Sequence, residues 1–274
     1  MERKRANIMG LAVDAIEFDQ AVELILSFAA TRPANYVCVN SAQDVVISQT
    51  DSRFRNIVNQ ADLATADGWP VVWGIRRQGL NQGGRVTGPD LMLRVCQESV
   101  ARGLSHYLYG GAAEVPELLT RKLQERFPGI SIAGAYSPPF RPLTPEEDEE
   151  VIKTINESNA DILWIGISTP KQHFWLEEHV NKLNVGVILV VGAAFDFHSG
   201  RVKRAPLWMR DHGLEWLFRA ASEPRRLGSR YVKYLPRYFY LSMAQRLGTR
   251  KFSISDCKIN YPTDHNENPK INGV

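Results

Sequence analysis

Two aspartates punctuate the stretch ADLATADGWPVVW, Asp62 at the start of an apolar run and Asp67 just past its end, followed by Gly68. A carboxylate half-withdrawn from water is costly unless something pairs with it or uses it. Further polar residues also close apolar runs: Asn40 after YVCV, Gly110-Gly111 after HYLY, Lys171-Gln172 after DILWIGISTP, and Gly192 to Asp196 after VGVILVV. Arg85 and Asp90 in RVTGPD place a cation and an acid before a helix start, where Asp90 also suits the helix dipole. Arg85 follows the glycine-rich QGLNQGG and is a candidate anion clamp. The Gly110-Gly111 pair is a strand-to-helix turn whose amides could face a phosphate.

Other chemistries lack their signatures. There is no GxGxxG, no GxxxxGK[ST] and no GxSxG, which disfavours common dinucleotide, nucleoside triphosphatase and serine hydrolase sites. His173 and His179 are not spaced as HExxH and read as core or surface histidines, and no Asp-x-Asp pair ends a strand. No metal site is expected.

These residues need elements to carry them. Continuous apolar runs at 161–167 and 185–192 alternate with helical patterns at 115–127, 144–155 and 168–183, the grammar of a parallel sheet covered on both faces. Thr144 and Pro145 open one helix, and Ser168 or Thr169 would cap the next. The first hundred residues suggest helices at 18–30 (Asp19 as cap), 44–60 and 89–102, with strands at 36–39 and 63–66. In such a sheet, ligands sit where strands run out into helices. The expected fold is α/β: a Rossmann-like parallel sheet with helices on both faces over residues 1–204, a basic helical C-terminal appendage over 205–250, and a disordered tail over 251–274.

Charge divides the same way. Residues 201–251 carry 13 Lys/Arg against three acids, a balance of +10, whereas residues 1–200 carry 18 bases and 24 acids. A basic segment in which Tyr231, Tyr234, Leu235, Tyr238 and Phe239 recur at helical spacing suits an anionic membrane surface, or a helix packing its aromatics on the body. Nucleic acid is not expected, since no recognition module accompanies the charge. No run reaches the ~20 apolar residues of a spanning helix, and no leader is expected. Three scattered cysteines, Cys38, Cys96 and Cys257, suggest a reducing cytoplasm without disulfides.

Taken in order, ADGWPVVW, RVTGPDL, YLYGG, DILWIGISTPKQ, VGAAFDFHSG and RAPLWMRDHGLEWLFRAASEPRRLGSRY make the chain, from about residue 8 to 245, resemble the WecG/TagA/CpsF glycosyltransferases. The resemblance implies an inverting enzyme that moves a sugar from a nucleotide donor, UDP-linked, to a polyprenyl-diphosphate-linked sugar at the inner membrane face. It implies no cofactor. It assigns the catalytic base to Asp67, and donor contacts to Asn40 and Gln172. The R-x6-R motif of the appendage gives Arg219 and Arg226, with Arg230 nearby, for the diphosphate and membrane. Gly68, Arg85, Asp90, Gly110, Gly111, Lys171 and Asp196 complete the expected donor site. Cys38 replaces the family's frequent threonine and His173 follows PKQ where glutamate is common, so the donor sugar is not carried over. A homo-oligomer that buries the apolar surface under the appendage is compatible with the resemblance. The alternatives are a non-catalytic nucleotide-sugar-binding or membrane-adaptor protein, and an oxidoreductase that the missing glycine fingerprint disfavours.

Overall fold

The computed structural model describes residues 3–254, apart from the side chains of Arg226 and Ser229. The chain opens with β1 (Arg5–Ile8), β2 (Leu11–Asp14) and α1 (Phe18–Ala29), followed by β3 (Asn35–Asn40), α2 (Ala42–Ile47), α3 (Ser52–Asn59) and β4 (Leu63–Ala66). Next come α4 (Trp69–Arg76), α5 (Gly88–Arg102), β5 (Ser105–Gly110), α6 (Val115–Arg126), β6 (Ser131–Tyr136) and α7 (Pro145–Glu157). The sheet is completed by β7 (Ile162–Gly166), α8 (Lys171–His179) and β8 (Val187–Val190), and α9 (Ala194–His198) closes the body. The appendage is α10 (Leu207–Asp211), α11 (Glu215–Ser222) and α12 (Ser229–Arg246).

The expected α/β architecture is present. Six strands form one all-parallel sheet in the order β4-β3-β8-β7-β5-β6. Alternate residues of β3, β4, β5, β7 and β8 feed two cores. Cys38, Ala64, Tyr109, Ile165 and Val190 pack with α2, α3, α4 and α8, while Val37, Leu63, Leu108, Trp164 and Leu189 pack with α1, α5 and α6 on the other face. Central strands such as ILWIG and VILV are apolar throughout because both faces are covered.

Several boundaries differ from the sequence reading. The helix at 44–60 is two, because Asp51 accepts from the Phe54 N–H (2.9 Å) and starts α3 afresh. Glu17, not Asp19, caps α1, and Pro170 rather than Ser168 or Thr169 precedes α8, with Ser168 in a left-handed conformation (φ 84°). The hairpin β1–β2 was not anticipated; it turns at Met9-Gly10, both at positive φ. Thr144 caps α7 as expected, in a capping box with Glu147.

α12 docks on the body through one side. Tyr238 and Leu241 are buried, Tyr234 and Leu235 pack against the core beside them, and the Tyr238 hydroxyl donates to Pro70 O (2.7 Å) at the start of α4. Most of the aromatic stripe thus covers the body. Beyond α12 the chain returns to β1, where Asn7 Nδ2 donates to Phe252 O (2.7 Å). Residues 255–274 of the tail, Cys257 among them, lie outside the described residues; Cys38 and Cys96 are free and buried.

Candidate active site

β4 aims Asp67. Its four residues are buried, and Ala66 lies opposite Asn40 at the carboxyl edge of β3. The Asp67 N–H donates to Asn40 O (2.9 Å), which carries the chain one residue past the sheet before Gly68 caps α4. The half-buried Asp67 carboxylate has no hydrogen bond or ion pair among the described residues. Burial raises its pKa to about 7; Arg85 and Arg204 pull it down, and Glu215 and Asp44 push it up. Asp62, by contrast, accepts the Tyr36 N–H (2.8 Å) and ties β4 to β3. The two aspartates of the motif thus divide into a structural group and an unpaired one.

Arg85 is brought beside Asp67 by the edge of β4. Val86 N–H donates to Ala66 O (2.8 Å) and the Thr65 hydroxyl donates to Val86 O (3.0 Å). The preceding glycine-rich loop is tied by Gln82, which accepts from Ile16 N (2.8 Å) and donates to Gly84 O (2.7 Å). Arg85 then meets Glu215 of α11, Nη1 to Oε2 at 2.9 Å. Arg204 bridges to the same carboxylate (Nε to Oε1, 3.3 Å) and forks onto Asp90 at 2.5 and 2.8 Å. Arg210 approaches Asp90 at 3.5 Å and the Thr87 hydroxyl donates to it at 2.7 Å. Burial alone would raise Asp90, but these partners hold it at about 2. Arg85 and Asp90, expected on the donor, are therefore both engaged by the appendage and its lead-in.

The other expected residues follow the sheet's carboxyl rim. Asn40 is fully buried, its Nδ2 donating to Cys38 O (3.0 Å) and Thr65 O (3.3 Å), while its Oδ1 has no partner among the described residues. Gln172 is also buried; its Nε2 reaches Thr169 Oγ1 (3.3 Å) and its Oε1 is likewise unpartnered, close to Gly192. Both are buried acceptors left without a donor among the described residues at the carboxyl rim of the sheet. Lys171 is exposed at the start of α8, and Asp196 lies in α9, its carbonyl held by Val202 N–H (3.0 Å).

Gly110 and Gly111 answer to packing first. Gly110 (φ 131°) has no room for a Cβ, which would stand 2.6 Å from the Gly166 carbonyl carbon. The Gly111 N–H is donated to Gly166 O (3.0 Å), so the expected phosphate cradle has one amide fewer to offer. Gly68 differs: its φ of −97° suits any residue, and a Cβ would meet nothing closer than 3.5 Å.

From the appendage, Arg219 lies over the Phe197 ring (5.1 Å), and Arg230 Nε donates to Gln43 Oε1 on α2. Arg226 falls in the π-helical segment Pro224–Gly228, its side chain outside the described residues. Arg204, Arg210, Thr87 and Glu215 were not singled out in the sequence, although all four lie within RVTGPDL and RAPLWMRDHGLEWLFRAASEPRRLGSRY, and Glu215 is one of three acids in a basic segment. His173 is buried against Phe54 (ring centroids 4.6 Å) and burial lowers its pKa to about 4, so it sits neutral in the core. His179 is buried too, paired with Asp148 (2.7 Å). Among the described residues no three His, Cys, Asp or Glu side chains gather as a metal site.

The fold and rim define a class: a parallel α/β protein with a weakly acidic carboxylate beside a cluster of arginines at the sheet's carboxyl edge. The model of the glycosyl transferase WecG/TagA/CpsF family matches residues 6–252, and the chain belongs to that family. It is similar to the N-acetylglucosaminyldiphosphoundecaprenol N-acetyl-beta-D-mannosaminyltransferases of Staphylococcus aureus strains MW2 and COL. Each is 29% identical over 238 residues, spanning 86% of this chain and 91% of the relative.

Proposed function

We propose that the protein is an inverting glycosyltransferase that moves a sugar from a UDP-linked donor to a polyprenyl-diphosphate-linked sugar, in cell-surface glycan synthesis at the inner membrane face. The relatives' names, with an N-acetylglucosaminyl-diphospho-undecaprenol acceptor and an N-acetylmannosaminyl group transferred, support this substrate class. The observation that carries the mechanism is the unpaired Asp67 carboxylate with a pKa of about 7. An acceptor hydroxyl attacking an anomeric carbon must lose its proton, and a carboxylate of raised pKa takes it well near neutrality. One such group suffices for a single displacement with inversion; a retaining route would also need a nucleophile.

Around Asp67 the remaining roles follow from charge. The buried oxygens of Asn40 and Gln172 accept donor N–H or O–H groups, and Gly68, which the backbone does not require, leaves space for the donor beside the base. Negative charge grows on the departing diphosphate, and the arginines supplied by Arg85, Arg204 and the appendage (Arg219, Arg226, Arg230) stabilise it without a metal ion. Exposed Leu207, Trp208, Phe239, Tyr240 and Met243 on the appendage, among basic residues, support peripheral membrane association. Among the described residues, no helix is long and apolar enough to cross a membrane.

The test is release of the nucleoside diphosphate from a panel of nucleotide sugars, with short-chain polyprenyl-diphosphate-sugar acceptors and with or without a chelator. Acceptor-dependent release that survives chelation and falls ~10²–10⁴-fold in Asp67→Asn is expected. Wild-type release that the variant retains removes Asp67 as base; release lost to the chelator removes the arginine account. Donor binding without any turnover would make the protein a binding module.

A further inference from the structure

Two guanidinium groups act on Asp67, yet neither pairs with it. This is unusual, because a carboxylate within reach of arginine normally ends in a forked pair. Asp90, which also feels Arg204, shows that outcome, gripped by it at 2.5 and 2.8 Å. An aspartate so held is a poor proton acceptor. What distinguishes the two acids is Glu215, the first residue of α11. Its two oxygens take Arg85 Nη1 (2.9 Å) and Arg204 Nε (3.3 Å), with the Arg85 and Glu215 side chains only 12% and 15% exposed and so little screened.

We propose that Glu215 is a positioning residue: it holds the Arg85 guanidinium off Asp67, as the fork onto Asp90 holds that of Arg204, and so leaves the Asp67 carboxylate unpaired. The inference rests on the reading of Asp67 as base. The other groups facing Asp67 do not serve this purpose. Asp44 of α2 is committed to Ser41, whose N–H (2.8 Å) and hydroxyl (2.5 Å) it accepts. Tyr231 of α12 feels Asp67 together with Arg219, Arg230 and Glu215, but makes no bridge to Arg85 or Arg204. Glu215 itself is set by the turn before α11, where Leu214 N–H donates to Met209 O (2.7 Å) and Trp69 Nε1 donates to Arg210 O (3.0 Å). The appendage therefore tunes the base from across the chain as well as supplying cations.

The experiment is kcat/KM against pH for wild type, Glu215→Gln, Arg85→Gln, Glu215→Gln/Arg85→Gln and Asp67→Asn, with thermal melts to confirm folding. The acidic limb of kcat/KM reports the base of the free enzyme. Freed of Glu215, Arg85 turns to Asp67, so Glu215→Gln moves that limb down by about one pH unit and lowers kcat/KM at pH 7.5 ~10-fold. Arg85→Gln moves the limb up or leaves it, and the double variant returns it towards the wild-type position. A Glu215→Gln enzyme that is slower with its limb unmoved makes Glu215 a brace for the appendage only and overturns the proposal. Should Glu215→Gln not fold, a downward limb in Arg85→Gln overturns it equally. Activity retained in Asp67→Asn overturns the base reading instead, so the two failures are distinct.

Discussion

An ionised Asp67 is held half-buried without a partner, which costs the folded chain stability. Its pKa of about 7 against an ordinary 3.8 means that the fold binds this proton more tightly than the unfolded chain does. The contribution is complete below about pH 3.8 and is lost as pH rises through about 7. Asp67→Asn should therefore match wild type at pH 4 and exceed it at pH 8 by on the order of 1 kcal/mol, or ~2–4 °C in Tm, even as transfer is lost. Differential scanning calorimetry at the two pH values checks this. A group placed for function at the expense of stability gives that opposition; a structural aspartate such as Asp62 would lose stability instead. Gln172 predicts a similar separation. Its unpartnered buried Oε1 gains the fold nothing, so Gln172→Met should keep or raise stability by up to ~1 kcal/mol while weakening donor binding ~10-fold, read by calorimetric titration. The places of Asp67 and Asn40 at strand ends, and of Gln172 at the start of the helix after a strand, were legible in the sequence because the strands are apolar runs. Arg204 and Glu215 were not, because their partners Asp90 and Arg85 lie more than a hundred residues away and meet them only once the appendage has docked.

Elements announced themselves in proportion to their regularity. Strands β7 and β8 are unbroken apolar runs and were read close to their ends, and α7 declared itself through its cap. The hairpin β1–β2 was silent because each strand has four residues and its Met-Gly turn lacks the usual Asn-Gly signal. For α12 the helical spacing was plain but its orientation was not. The helix carries two apolar stripes, and periodicity alone does not say which one faces the body. The structure gives Tyr238 and Leu241 to the body and leaves Phe239, Tyr240 and Met243 outside. The Tyr238 hydroxyl is the link that matters for the site, since Pro70 lies in the first turn of α4, three residues after Asp67. Tyr238→Phe leaves Pro70 O without this buried donor and should cost ~1–3 kcal/mol in urea unfolding. Because the strain falls on the helix that follows the base, kcat should fall while vesicle binding is kept.

At the scale of the whole molecule, the chain is electrically divided, and its apolar exposure is divided in the same place. The acidic body covers its large side chains well, with Trp73, Tyr136 and Phe140 as exceptions, whereas nine of the exposed large hydrophobics fall between Leu207 and Leu247. That span lies within the segment whose charge balance is +10. Apolar groups give a membrane its depth of contact and basic groups give it the attraction to anionic lipid, at about 1 kcal/mol per Lys or Arg near the surface. The two should be separable in a flotation assay. Binding to vesicles with a third phosphatidylglycerol should fall steeply between 50 and 500 mM salt, and neutral vesicles should bind poorly. Trp208→Ser with Tyr240→Ser, both at exposed positions, should weaken binding ~10-fold at every salt concentration while leaving its salt dependence unchanged. A second copy of the chain covering the same face gives a different pattern: a mass that doubles with concentration, and vesicle binding that declines as it does. Salt-insensitive binding, or binding that the double variant leaves intact, would mean that the exposed face of the appendage is not what meets the lipid.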